Sequence, residues 1–254
     1  MIGDVMKCPK WIVSAVALGG AITSVGAHAA EAKKPPLFTY IAQYAFPRSE
    51  WRNIKWQPKE LASNKALVRD GTLVGFGQED SLLHADNGYT HNRWWAAHSA
   101  SALLNMIADD SLPADPEMNK ATKHSDGLII SEHYGYRPGT IKNGILFSAA
   151  IVFKDDAPKD AQDVLIKQFY EPVLEKMLAD GVIAEYDLSN EYVSTNSEMP
   201  LYLNFMASSS SAIEKVQVAL EDAWRASPSR QTWSSYFDWK KERDHVSIEN
   251  AELK

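Results

Sequence analysis

Apolar and polar positions change rhythm along the chain in an order that occurs twice. Leu37–Phe46 and Ile145–Phe153 read as strands. A helical stretch follows each, roughly Trp51–Arg69 and Ala161–Ala179. In the second, Val164, Leu165, Phe169, Val173, Leu174 and Met177 recur at the spacing that lays one apolar stripe along a helix. Asp70-Gly71 and Asp180-Gly181 stop these helices, because glycine takes the left-handed C′ position without Cβ strain. Two strands come next, 72–85 and 90–98 in the first half, 182–194 and 201–207 in the second. Further helices over 99–109 and 211–225 lead into closing strands Gly127–Tyr136 and His245–Glu252. Each half is therefore predicted as βαββαβ.

Displacing the chain by 110 residues lays one half on the other. Leu67-Val68-Arg69-Asp70-Gly71 falls on Met177-Leu178-Ala179-Asp180-Gly181, and Leu73 on Ile183. Trp95 falls on Phe205, Ala97 on Ala207, and Ser99, Ser101 and Ala102 on Ser209, Ser211 and Ala212. The offset runs without a gap from residue 41 to 103. A fixed offset of this kind is the mark of a duplicated unit. The predicted organisation is a leader over 1–29, a first unit over 30–140 and a second over 141–254.

A βαββαβ unit is the split βαβ, or ferredoxin-like, arrangement. Two of them in one chain resemble the dimeric α+β barrel superfamily, in which paired ferredoxin-like sheets enclose a central cavity. The resemblance covers nearly all of the chain beyond the leader and is topological. It implies an α+β fold with two joined sheets. The superfamily includes haem enzymes, cofactor-free monooxygenases, isomerases and proteins of no known activity, so function has to be read from the site.

The halves differ most where chemistry could sit. At the 110-residue offset His84 becomes Ser194, His91 becomes Leu201, Arg93 becomes Leu203 and His98 becomes Ser208. One functional half and one structural half would look like this, and so would drift on an exposed hairpin. Asn87-Gly88 predicts a two-residue hairpin turn, with His84 opposite His91, Leu82 opposite Arg93 and Asp80 opposite Trp95. In the second half Leu201, Leu203 and Phe205 should pack under helices, which turns Tyr202, Asn204, Glu185 and Asp187 to the other face. By analogy Glu79, Asn92, Trp94 and His98 should face the cavity, with Gly75 and Gly77 making room beside Trp94 for a ligand. His133 shares alternation with Ile129 and Ser131 and is expected inward.

The candidate catalytic residues are His98, His133, Glu79 and His91, because a histidine near its ordinary pKa exchanges protons at neutral pH. Asn92, Trp94, Arg93, Tyr202 and Asn204 are the candidate substrate-binding residues. The bland readings are a helix-flanking role for His98 and core packing for Trp94. His84 and His91 could share a metal ion if Asp80 or Asp86 completed the set, although no metal-binding spacing supports it. Gly75-x-Gly77 is too short for a nucleotide loop. Ser208–Ser211 reads as a serine-capped helix start. The aromatic run Thr232–Lys241 could close over a cavity mouth or simply cover sheet.

Composition narrows the function classes. Lys7 and Lys10, the apolar run Trp11–Val25 and Ala27-His28-Ala29 have the layout of a cleaved secretory signal, which predicts a secreted, bacterial periplasmic protein. Cleavage would remove Cys8, the chain's one cysteine, so no disulfide is expected. The remainder would carry 24 basic and 32 acidic residues, a balance that argues against nucleic acid or anionic lipid as partner. The expected activity is acid–base chemistry on a small apolar, aromatic compound: a lyase, an isomerase or a cofactor-independent oxygenase. No cofactor is required by that reading. The resemblance leaves two alternatives: a haem-binding oxidoreductase like the chlorite dismutases, and a noncatalytic binder of hydrophobic ligands. The internal duplication could replace a dimer or build a larger homo-oligomer.

Overall fold

The computed structural model describes residues 34–82, 88–109, 116–193 and 199–254. The predicted leader and the tip residues His84, Asp86 and Asn87 lie outside the described residues.

The first half runs β1 (Leu37–Ala45), α1 (Pro58–Asp70), β2 (Gly75–Ser81), β3 (His91–Ala97), α2 (Ala100–Ala108) and β4 (Lys123–Tyr136). The second runs β5 (Gly139–Ile151), α3 (Ala161–Leu165), a π turn (Ile166–Tyr170), α4 (Glu171–Ala179), β6 (Ile183–Glu191), β7 (Leu201–Ala207), α5 (Ser210–Ala226), α6 (Arg230–Tyr236) and β8 (Arg243–Leu253). The strands close into one antiparallel barrel in the order β1-β3-β2-β8-β5-β7-β6-β4. Within it each half keeps the order fourth-first-third-second, and the second strand of each half pairs with the fourth of the other.

Local chemistry places the Asp-Gly stops and the serine starts as predicted, whereas α1 begins at Pro58 and not at the expected Trp51. Gly71 (φ 89°) and Gly181 (φ 71°) turn left-handed after α1 and α4. Ser99 and Ser209 cap α2 and α5, each accepting a hydrogen bond at 3.3 Å from the backbone N–H of Ala102 or Ala212. The helices cover the outside of the barrel. Val68, Leu73, Phe76, Trp95, Leu103 and Met106 form the core under α1 and α2. A larger core holds Leu165, Phe169, Leu174, Phe205, Val216, Trp233 and Phe237 on the other side. Each such side chain contributes about 1.5–3 kcal/mol of burial. Trp233 and Phe237 therefore cover sheet, and it is Lys241–Asp244 beyond them that reach the cavity.

Two registers depart from expectation. Asp80 pairs with His91, Gln78 with Arg93 and Phe76 with Trp95, so the β2–β3 pairing lies four residues from the one a tight Asn87-Gly88 turn would set. Packing decides it: this register places Gly77 opposite Trp94, where the indole needs space, and stacks Phe76 beside Trp95 under the helices. A shift of four preserves alternation, so the facing of β2 and β3 residues is unchanged. In β4 the register slips between Ser131 and His133. This bulge reverses the alternation beyond it, turning Tyr134 and Tyr136 inward and His133 outward.

Candidate functional site

The barrel encloses a cavity of about 860 Å³. Strand alternation decides its lining: Ile41 and Gln43 from β1, Glu79 and Ser81 from β2, Asn92 and Trp94 from β3, Tyr134 and Tyr136 from β4, Ser148 from β5, Glu185 and Asp187 from β6, Tyr202 and Asn204 from β7, His245 and Glu249 from β8. Leu37, Val74, Trp94, Ala96, Tyr134, Leu146, Met206 and Leu253 form a buried apolar cluster within the barrel. Lys241, Glu242, Arg243 and Asp244 also line the cavity, and Lys241, Arg243 and Asp244 are exposed.

Four carboxylates share this interior. Glu79 pairs directly with Glu249 across β2 and β8. Asn92 Nδ2 donates to Glu79 Oε2 at 3.0 Å. Trp94 Nε1 donates to Glu249 Oε1 at 2.6 Å. Ser131 Oγ and Asn204 Nδ2 donate to Asp187 Oδ1 at 3.2 and 3.1 Å. Ser148 Oγ in turn donates to Asn204 Oδ1, which fixes the amide with its nitrogen toward Asp187. Burial pushes the Glu185 carboxyl up to about 8, reinforced by the charges of Asp187 and Glu79. Burial pushes Glu79 up to about 7, against the bonds from Asn92 and Ser247 that favour its ionised form. Burial raises Glu249 well above the usual carboxylate range, with Glu185 and Glu79 adding to it, and raises Asp187 as well. Like charges held in a poorly solvated cleft cannot all ionise, so the group retains protons at neutral pH.

No protein-family model and no curated protein matches the chain. Solved structures do. A Lactobacillus acidophilus NCFM protein carrying a provisional monooxygenase name superposes with TM-score 0.58 at 13% identity, over 87% of this chain and 97% of its own. An anthrone oxidase-like protein superposes with TM-score 0.51 at 9% identity, over 87% and 94%. A mutant chlorite dismutase from Candidatus Nitrospira defluvii is looser, with TM-score 0.48 at 10% identity, over 84% and 90%. The chain shares the α+β barrel fold of these structures.

The α+β barrel brings some of the expected residues together and separates others. Glu79, Asn92, Trp94, Tyr202 and Asn204 all line the cavity. His98 does not: it is exposed and its Nδ1 lies 3.1 Å from the Pro36 carbonyl oxygen. His133, turned out by the β4 bulge, has Nδ1 3.0 Å from Glu171 Oε1 on α4. His91 is buried on the helix side of β3, 2.9 Å from Thr90 Oγ1 and edge-on to Phe46. Burial holds its pKa down. It lines a separate depression with Trp51 and Asp80. Arg93 is buried there too, donating to Glu60 Oε1 at 2.8 Å with its guanidinium over the Trp56 ring. Its partners are structural, because β3 alternation turns 91, 93 and 95 to the helices. Nor do the glycines leave ligand space. A Cβ on Gly77 would stand 2.6 Å from the Trp94 ring, and one on Gly75 would stand 2.7 Å from Leu253, so side chains of the barrel already fill those gaps.

His245 and Glu249 were not singled out from sequence. Their signal was the alternation of β8, where Val246 and Ile248 separate His245, Ser247 and Glu249. His245 is the histidine that lines the cavity among the described residues; its Nε2 is buried without a hydrogen-bond partner and burial lowers its pKa. Among the described residues no group of three or more His, Cys, Asp or Glu is arranged to hold a metal ion. The His84–His91 pairing involves a residue outside them.

Proposed function

We propose that the chain is an acid–base enzyme of the α+β barrel type, which takes a small, largely apolar or aromatic compound into the barrel and moves a proton at carbon. The observation that carries this reading is the pair Glu79 and Glu185, cavity carboxylates pushed up to about 7 and about 8. A general acid or base works best with its pKa near the working pH. Glu79 and Glu185 exchange the proton, burial and the charge of Asp187 hold those pKa values up, and Asn92 and Asn204 orient Glu79 and Asp187. The role first assigned to His98 and His133 passes to these carboxylates, since neither histidine reaches the cavity. Trp94, Tyr134 and Leu146 offer apolar surface for a ring.

Removing a proton from carbon leaves an enolate. An isomerase reprotonates it elsewhere, a lyase expels a leaving group, and a cofactor-independent oxygenase passes its electrons to dioxygen. The monooxygenase and oxidase names of the structural neighbours favour the last branch. The test is a set of enolisable aromatic ketones, anthrone among them, followed for deuterium uptake from D2O and for oxygen consumption. Exchange above the buffer rate, lost in Glu79→Gln and Glu185→Gln with binding retained, supports the reading. Binding without any acceleration makes the chain a noncatalytic binder of hydrophobic ligands.

Haem is the second reading, and one atom favours it: His245 Nε2, buried and unpartnered at the cavity wall. The rest of the lining does not fit. A porphyrin brings two carboxylates of its own into a cavity lined by eight acidic side chains. A saturable Soret band on adding haemin, abolished by His245→Ala, would reverse that ranking.

We further read the two βαββαβ halves as copies of one unit. The equivalent caps Gly71 and Gly181, and Ser99 and Ser209, support this. The reading of residues 1–29 as an export signal to the periplasm rests on their sequence.

A further inference from the structure

The cavity is acidic well beyond what one proton transfer uses. Of its lining residues eight are acidic and two, Lys241 and Arg243, are basic. Both basic residues are exposed and flank Glu242. Charge of one sign in a low-dielectric cleft draws in ligands of the opposite sign. Glu79, Glu185, Asp187 and Glu249 approach the space from three strands, and apolar surface from Trp94, Tyr134 and Leu146 lies in the same interior.

A single atom adds a second, independent pointer. Glu249 is fully buried and lines the cavity. Its Oε1 accepts from Trp94, while its Oε2 has no hydrogen-bond partner. Asn92 serves Glu79, and Ser131 and Asn204 serve Asp187. Leaving a buried acceptor unserved is destabilising, more so for a charge. Buried polar groups in folded proteins nearly always have a partner. A donor on an entering ligand would serve this oxygen.

Resting on the reading of this cavity as a substrate site, we propose that the substrate is an organic cation: an ammonium group on a small apolar or aromatic body, its N–H donating to Glu249 Oε2. An ammonium brings donors and no acceptor, and its charge favours the ionised, acceptor-only form of carboxyls that otherwise share protons in this cavity. A metal ion is a poorer complement. Among the described residues no three acidic or histidine side chains converge as ligands.

Three probes on one skeleton test this with the full chain: 1-naphthylmethylammonium, 1-naphthalenemethanol and 1-naphthoate, titrated by calorimetry. The ammonium should bind about tenfold or more tighter than the alcohol, the gain expected of a charged hydrogen bond. The carboxylate should bind weakest. Glu249→Gln should bring the ammonium down to the affinity of the alcohol and leave the alcohol unchanged. Where that variant does not fold by circular dichroism, Glu185→Gln should reduce the same ratio several-fold. Equal binding of ammonium and alcohol overturns the cation while leaving the cavity as a site for aromatic compounds. Absence of binding by all three overturns both readings.

Discussion

The indole of Trp94 donates to Glu249 Oε1 at 2.6 Å, and it can do so because Gly77, between them in the sheet order β3-β2-β8, has no side chain to block it. Three adjacent strands thus converge on one carboxylate. Trp94→Phe removes the donor, leaves both Glu249 oxygens unserved and should cost about 1–3 kcal/mol in urea unfolding. Adding Glu249→Gln should recover part of that loss, because the buried acid is no longer there to be left alone. Equal losses with and without Glu249→Gln would show that the bond is energetically idle.

Gly77→Ala tests the same contact from the other side. Its Cβ would stand 2.6 Å from an indole held between sheet neighbours. Overpacking of this kind costs about 1–3 kcal/mol. Thermal melts should show the loss in Gly77→Ala, and Trp94→Phe in the same chain should relieve it. A melting temperature equal to that of the parent would mean the ring moves freely.

Stability should fall as pH rises through neutrality. Glu79 and Glu185 titrate at about 7 and about 8 in the folded chain, against 4.5 when exposed. Between those values the folded state holds protons that the unfolded chain has released, so each raised pKa favours folding at low pH and loses that contribution as pH climbs. A carboxyl whose pKa rises by one on folding contributes at most about 1.4 kcal/mol. His91 and His245, held below 6.5 by burial, act in the opposite sense on the acid side. The melting temperature should drop from about pH 6 to about pH 8.5, and Glu185→Gln should flatten the slope. A flat or rising profile in the parent chain would contradict it.

Arg93 separates fold from function. Its ion pair with Glu60 is buried on the helix side, and breaking such a pair by removing one partner costs about 3–5 kcal/mol. Arg93→Met should lower stability without changing the affinity of a cavity ligand. His98→Ala and His133→Ala should leave both turnover and ligand affinity within about twofold of the parent. A large loss of turnover in either histidine variant would move the chemistry out of the barrel.

The succession of strands and helices, the Asp-Gly and serine helix ends and the inward facing of β6 and β7 were legible in the chain because they rest on local rules: alternation, an Asp-Gly stop, a serine cap. The β2–β3 register was not, since the fit of Trp94 over Gly77 outweighs the local preference of Asn87-Gly88 for a tight turn. His133 was misplaced by a bulge at Glu132 that no residue in the sequence announces. The acidic interior was half legible. Glu79, Glu185 and Asp187 follow from alternation, but their meeting with Glu249 depends on β8 pairing with β2, a contact between residues 79 and 249 that only barrel closure creates. Histidines drew attention by residue type, whereas ordinary glutamates acquire near-neutral pKa values only from the burial they share.

The deciding experiment is a carbon-13 NMR titration of the carboxyl groups in glutamate-labelled protein. Two resonances should titrate with midpoints at about 7 and about 8, lost respectively in Glu79→Gln and Glu185→Gln. Glutamate carboxyls that all ionise below about pH 5, near the ordinary value of an exposed side chain, would contradict a proton-exchanging pair in the barrel.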